Sequence, residues 1–412
     1  MRILVQKFGG TSVKDLESMK RVQKKVAQGL ASGCKVLVVL SARAGDTNSL
    51  IALGQQWSDS PDPAEMDVLV STGEQVSVAL FTMLLKDGGV KARSLLGGQA
   101  GIITDNSFMK ARIKSIDSDL LKKMFKTYDV LVLTGFQGVT PDGCVTTLGR
   151  GGSDTSAVAV AAALKAELCE IYTDVEGVYT TDPNVCPKAR KLDKVSYDEM
   201  LEMASMGAKV LEIRSVEFAK KFKVPVLVRS TFSEAPGTLV TKEDSVMEHI
   251  MVSSIAYDKN QARITLRNVP DKPGVAASVF GPLSADKLSV DMIVQNPSRD
   301  GVTDISFTVT RKELKRAIAI MEKLVAENTG MEVYSETDIA KVSVIGVGMR
   351  NHSGVAAKVF NKLHQENINL KMISTSEIKI SCVIDEKYTE LAVRVLHDEF
   401  GLDNKDYMED SQ

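Results

Sequence analysis

Over residues 1–245, short apolar runs alternate with stretches whose apolar positions recur at helical spacing. The runs fall at residues 3–5, 36–40, 130–134, 169–172 and 224–228. Each is too short for a helix and reads as a buried strand. Strands separated by helices imply crossover connections and a mainly parallel sheet covered on both faces. The pattern predicts an α/β fold whose ligands bind beyond the carboxyl ends of the strands.

The first run ends in Lys7-Phe8-Gly9-Gly10, and Leu16, Met19, Val22, Val26 and Leu30 follow at helical spacing. Two glycines let the backbone approach a ligand closely, and the first N–H groups of a helix favour an anion. Lys7 would add a point charge and complete a phosphate cradle. An ordinary strand-to-helix turn, with Ser12 as N-cap and Asp15 as its capping-box partner, explains the same residues equally well.

Further polar clusters follow the later runs. Residues 41–47 read as a small polar loop. Ser71-Thr72-Gly73-Glu74 reads as a capping box opening a helix, or as a carboxylate aimed at a cationic group. Residues 147–156 hold three glycines and Arg150 just before an alanine-rich helix, an anion-binding arrangement with a guanidinium fork. A cap at Ser153 or Asp154 accounts for one residue of that cluster only. Residues 173–183 place a carboxylate, a glycine turn, an aromatic and a second carboxylate after a strand. Lys209 is a second lysine near a helix boundary, where interaction with the helix dipole is the plain explanation.

Residues 233–245 read as a linker, and beyond them the pattern changes. Gly274-Val-Ala-Ala-Ser-Val-Phe280 recurs 80 positions later as Gly354-Val-Ala-Ala-Lys-Val-Phe360. This is an internal repeat. Each copy predicts a strand (262–266; 342–347), a helix, a second strand, a later strand (305–309; 378–384) and a second helix (314–324; 389–396), a βαββα order that suits a ferredoxin-like unit.

A length of 412 residues implies two or three domains. The net charge of −2 gives no field that would draw the chain to nucleic acid or anionic lipid. The longest apolar run, 157–164, is far short of a membrane span, and the N-terminus runs straight into a strand rather than a signal peptide. Five cysteines without CxxC spacing and four scattered histidines predict a cytoplasmic protein with no metal cluster.

KFGGTSV, SARAGDTN, STGE, GFQG, TTLGRGGSDTSA and TDVEGVYTTDP, in that order and followed by the two repeats, resemble the aspartokinase family over essentially the whole chain. The resemblance implies an amino acid kinase domain over 1–245 (a three-layer αβα fold). A linker and the first strand of the second regulatory unit would follow over 246–261, then ferredoxin-like ACT domains over 262–338 and 339–412. It implies transfer of the ATP γ-phosphoryl group, with Mg2+, to the side-chain carboxylate of L-aspartate, on the route to lysine, threonine and methionine. Lys7, Asp174 and Lys209 would be catalytic. Phe8, Gly9, Gly10, Thr173, Tyr179, Asp182 and Pro183 would join them around ATP. Ser41, Thr47, Glu74, Arg150 and Ser153 match aspartate-contacting positions.

A feedback effector, lysine, threonine or both, would meet Asp271, Gly274, Val275, Ala276, Asp291 and Gln295 in the first repeat. In the second it would meet Val355, Ala356, Asn369, Ser374 and Thr375. Ala356 stands where several relatives have a threonine, so one hydroxyl is missing. The resemblance further implies a homodimer or higher oligomer through the ACT domains. An internal start at Met247 or Met251 would make a separate regulatory subunit. The competing readings are a kinase for glutamate, which a substrate panel separates, and a silent amino-acid sensor, which a missing motif would support and none is missing.

Overall fold

Ile3–Phe8 is buried at every position, as a strand covered on both sheet faces must be. It pairs in parallel with Lys35–Leu40 on one side and with Leu168–Thr173 on the other. In the computed structural model, which describes residues 1–207, 210–296 and 301–404, these strands form the centre of an eight-stranded sheet. Its order is Lys194–Ser196, Thr238–Thr241, Val226–Ser230, Leu168–Thr173, Ile3–Phe8, Lys35–Leu40, Val130–Thr134 and Ala92–Leu95. The sheet belongs to a unit built from Met1–Tyr179 and Lys191–Met247.

Alternation along the central strand decides what each side chain meets. Phe8 enters a core with Val22 and Val26 of helix Leu16–Ala31 and with Val78, Phe81 and Leu85 of helix Pro63–Asp87. Lys7, one residue earlier, turns instead toward helix Gly152–Leu164. That helix is alanine-rich and buried over nearly its whole length, so small side chains let it press close to the sheet.

Residues 233–245 are not simply a linker. Thr238–Thr241 joins the sheet, antiparallel to Val226–Ser230 and parallel to Lys194–Ser196. Gly237 makes this possible: its φ is +87°, and a Cβ there would lie 2.3 Å from the Val228 carbonyl oxygen. The Pro-Gly turn signal masked a strand of only four residues.

Helix Pro63–Asp87 is long and apolar enough to span a membrane by length and composition. Met66, Val70, Val78, Phe81 and Leu85 are buried, however, and the fully buried Asp67 accepts hydrogen bonds from Met109 N and from the backbone and hydroxyl of Thr147. That carboxylate ties the helix to a small sheet of Ile113–Ile116, Ile102–Thr104, Gln137–Val139 and Val145–Thr147.

The second unit comprises Thr180–Arg190 and the chain from Glu248 onward. Its six-stranded sheet runs Ile293–Gln295, Val302–Thr310, Ser254–Pro270, Glu332–Ile345, Lys379–Asp385, Met372–Thr375. The two long central strands each serve both repeats. Gln261 to Arg267 lies in the first repeat and pairs with the start of Glu332–Ile345, while Ser254 to Asp258 pairs with its end, beside the second repeat. Register shifts at Asp258/Gln261 and Gln261/Arg263 mark the crossover. Helices Val275–Ala285 and Leu314–Ala326 cover one half through Val279, Leu283 and Met321. Val355–Gln365 and Thr389–Glu399 cover the other through Val359, Leu363 and Leu396.

Thr180–Arg190 is fastened to helix Thr389–Glu399. Val185 lies in the core, Arg394 Nε donates to its carbonyl at 2.8 Å, and Lys188 pairs with Asp398 at 2.9 Å. Thr180 Oγ1 lies 2.9 Å from Nε2 of the fully buried His397. Burial holds this imidazole below its ordinary pKa, so it is neutral. The stabilisation it brings is present above about pH 6.5 and is lost as the pH falls through the lower folded-state value. The melting temperature should therefore drop more steeply between pH 7 and 5 in the native protein than in His397→Gln. Equal slopes would clear His397 of that role.

Candidate active site

Because Ile3–Phe8, Lys35–Leu40, Val130–Thr134 and Leu168–Thr173 are parallel, their carboxyl ends share one edge of the sheet. Gly9-Gly10, Ser41, Gly135 and Asp174 follow directly at that edge. Ser41 N donates to the Phe8 carbonyl at 3.2 Å, locking two of these ends together.

Gly9 and Gly10 do not open the long helix. They lead into a short 3-10 turn, Gly10–Val13, and the helix begins at Leu16 with Asp15 as its N-cap, accepting from Ser18 N at 2.7 Å. Ser12 is not a cap; its buried hydroxyl lies 2.7 Å from Thr231 Oγ1. Gly10 is needed for space. A Cβ on Gly10 would sit 2.8 Å from the Ala42 carbonyl oxygen, and one on Gly9 would lie 3.6 Å from Lys7 Nζ. The backbone of this turn thus runs beside a lysine ammonium with no side chain between.

Lys7 Nζ is 2.6 Å from Asp154 Oδ1, and both residues are buried. Asp154 stands in the first turn of Gly152–Leu164, which Gly151 starts from the left-handed region at φ +65°. Gly135 allows that helix end to close on the sheet: a Cβ there would meet Ser153 Cβ at 2.7 Å. Asp154 is the site residue that sequence reasoning set aside as a cap. Asp174, expected to orient the cations, is exposed and makes no ion pair among the described residues. Lys209 lies outside the described residues.

Glu74 does not open a helix. It sits in the middle of Pro63–Asp87, which Asp62 caps and Pro63 begins, so the capping explanation for Glu74 falls away. Its Oε1 accepts from Ala42 N at 3.0 Å, while Oε2 is buried with no hydrogen-bond partner. Desolvation pushes this carboxyl up to about 7. A buried carboxylate oxygen with nothing to accept from is poised for a cation or donor brought by a ligand.

Thr47 lies in the first turn of helix Asp46–Trp57, after Gly45 at φ +92°, and Arg43 pairs with Asp46 at 2.8 Å. Arg150 is exposed between Gly149 and Gly151, both at positive φ. Phe8 is fully buried and stacks on Tyr172 with centroids 4.5 Å apart, leaving only its backbone for a ligand. Thr173 closes a local turn with Val175, and Tyr179 bridges Lys191. Asp182 and Pro183 belong to the second unit, where Asp182 accepts from Asn184 and from the Tyr257 hydroxyl at 3.0 Å.

In the repeats, Gly274 and Gly354 start equivalent helices at φ +93° and +92°. Asp271, Ala276, Asp291, Gln295, Asn369, Ser374 and Thr375 are exposed; Val275 and Ala356 are half-buried and Val355 is buried. Asp291 is engaged by the buried Lys341 ammonium. Gln295 and Ser374-Thr375 lie on strands at opposite edges of the six-stranded sheet.

Residues 2–230 match the model of the amino acid kinase family, and residues 267–324 and 342–400 match that of the ACT domain. An aspartate kinase of Pseudomonas putida is 54% identical over 98% of both chains. The aspartokinase of Helicobacter pylori (strain 26695) is 49% identical over 97% of this chain and all of its own. Among solved structures, E. coli aspartokinase III in complex with aspartate and ADP superposes with a TM-score of 0.78 at 29% identity, over 97% of this chain and 99% of that one. The same enzyme in complex with lysine and aspartate gives 0.76. The chain belongs to the aspartate kinases, an amino acid kinase unit followed by ACT domains.

Proposed function

We propose that the site binds L-aspartate and ATP and transfers the γ-phosphoryl group to the aspartate side chain, giving 4-phospho-L-aspartate on the route to lysine, threonine and methionine. The observation that carries this is the pairing of a cationic phosphate cradle at Lys7, Gly9 and Gly10 with the unpartnered buried oxygen of Glu74. Glu74 receives the substrate ammonium; Arg150, with Ser41, Thr47 and Ser153, holds its carboxylate end. The nucleophile is a carboxylate with an ordinary pKa near 4, already ionised at neutral pH, so no general base is needed. The barrier is repulsion between that carboxylate and the polyphosphate, and positive charge fixed on the transferring group lowers it.

Asp154 holds Lys7 in place for this purpose, and Lys209 supplies a second cation. Thr173, Asp174 and Tyr179 seat the nucleotide. Among the described residues no three His, Cys, Asp or Glu side chains converge as a metal cage. Magnesium would enter on the nucleotide, held by phosphate oxygens and water.

The ACT repeats bind lysine, threonine or both, and chains pair through the exposed sheet edges at Ile293–Gln295 and Met372–Thr375. Such an effector shifts activity only by binding one state more tightly than another. Initial rates with ATP, magnesium and aspartate, repeated with lysine, threonine and both, test the reading. Turnover that falls with an effector supports kinase and regulation together. Turnover indifferent to every effector removes the regulatory half, and faster phosphorylation of glutamate than of aspartate removes the substrate assignment.

A further inference from the structure

Helix Pro63–Asp87 carries two buried carboxylates seven residues apart, which places them on one face about 10 Å from each other. Glu74 is assigned to the substrate ammonium. Asp67 uses both oxygens on the chain itself, accepting from Met109 N at 3.0 and 3.1 Å and from the backbone and hydroxyl of Thr147. Arg214, in the first turn of helix Ile213–Phe222, holds the next residues of the same two segments. It donates to the Leu148 carbonyl at 2.6 Å and to the Ala111 carbonyl at 3.0 Å. Ala111 N donates in turn to the Thr147 carbonyl at 2.8 Å, so the two segments lie side by side. A carboxylate takes their N–H groups and a guanidinium their carbonyls, the strong charge-assisted kind of hydrogen bond.

These bonds hold strained backbone. Met109 sits at φ +65°, a conformation costly for a residue with a side chain, and a Cβ on Gly149 would lie 3.1 Å from the Met109 carbonyl oxygen. Beyond Arg150, a Cβ on Gly151 would lie 2.4 Å from Cγ of Glu212, the residue that opens helix Ile213–Phe222. The chain is therefore fixed on both sides of Arg150, while the exposed Arg150 guanidinium makes no ion pair among the described residues.

We propose that Asp67 and Arg214 are positioning residues: they fix residues 147–151, and through them the Arg150 fork, so that the site accepts aspartate and rejects the acid one methylene longer. The inference rests on the reading of Arg150 as the group that holds the substrate carboxylate. Arg150 and the phosphate cradle at Lys7 would then hold opposite ends of the substrate, and its length is read only if neither end moves. Lys7 is fixed by Asp154 in the helix that follows. Arg150 has no such partner of its own, and Asp67 and Arg214 supply one through the backbone.

Initial rates of the full chain on aspartate and on glutamate test this. Arg214→Gln should raise the KM for aspartate roughly tenfold, the scale of one lost charged hydrogen bond, and change kcat by less than about threefold. Its preference for aspartate over glutamate, as a ratio of kcat/KM, should fall roughly tenfold, within the discrimination that one methylene allows. Asp67→Asn, which keeps the shape of the side chain and removes its charge, should act in the same direction. In an Arg150→Ala background, Arg214→Gln should add less than about twofold to the KM, because the group it acts through is already gone. Circular dichroism melts establish that each variant is folded at the assay temperature. Where Arg214→Gln is not, Arg214→Lys replaces it, keeping the charge but losing the two-pronged reach. Equal effects of the Arg214 change with and without Arg150 overturn the proposal, and so does an unchanged ratio of aspartate to glutamate in both the Arg214 and the Asp67 variants. A KM for aspartate unmoved by Arg150→Ala alone overturns the reading of Arg150 itself, and the proposal with it.

Discussion

Lys7→Met is expected to lower kcat by a factor on the order of 10² to 10³, the usual cost of removing one fixed charge or donor from a transferring group. Asp154→Asn should do nearly as much without touching the substrate, because Lys7 Nζ loses the carboxylate that fixes it at 2.6 Å. The KM for aspartate should change little in either variant, since the substrate ammonium is assigned to Glu74. Stability separates this role from a merely structural one. Each single change leaves a buried group without its partner and should cost about 3 kcal/mol, whereas the double variant removes both charges and should recover much of that loss. Recovery of stability without recovery of kcat is the expected pattern. If kcat returns with stability in the double variant, the pair is structural only.

The second large effect is at Glu74. Its carboxyl is raised to about 7 by desolvation, so folding with the group ionised is unfavourable. The stabilisation associated with its protonated form is present below the ordinary pKa near 4.5 and is lost as the pH rises through about 7. Glu74→Gln should therefore raise the unfolding free energy of the ligand-free protein at pH 8 by roughly 2 to 3 kcal/mol, the scale of a two-unit pKa displacement. The same variant should raise the KM for aspartate roughly 10- to 100-fold, because a charge-assisted bond to the ammonium is gone. In the native protein that KM should climb as the pH drops below 7, and in Glu74→Gln the climb should flatten. A variant that is neither more stable nor weaker in binding would remove Glu74 from the site.

Most strands of both units, the glycine turns and the internal repeat were legible in the residues, since each rests on local pattern. The pairing of Lys7 with Asp154 was not. The two are far apart in sequence, and only the placement of Gly152–Leu164 against the central strand joins them. An aspartate in the first turn of a helix also has a ready local explanation, and that explanation hid its partner. Glu74 was legible as a carboxylate but misplaced at a helix start. The true start lay in Pro61-Asp62-Pro63, where a cap and an N1 proline stand together. Thr238–Thr241 was lost behind a proline-glycine signal. The strand that residues 254–258 lend to the second repeat was implied by the family resemblance alone: they pair with a strand more than 80 positions away, and periodicity carries no information about partners.

The shared central strands have a bearing on how this chain could be shortened. Deleting either repeat would strip the survivor of one of its four strands, because each borrows it from the segment that begins the other. The duplication is thus interlocked, and loss of one copy alone is barred by the architecture. A fragment starting at Met251 would keep every strand of the six-stranded sheet but would lack Thr180–Arg190. Such a piece would have a gap where Val185 packs, and His397 would lose the hydroxyl of Thr180. A free regulatory fragment would have to repack that surface or borrow an equivalent segment from a longer chain.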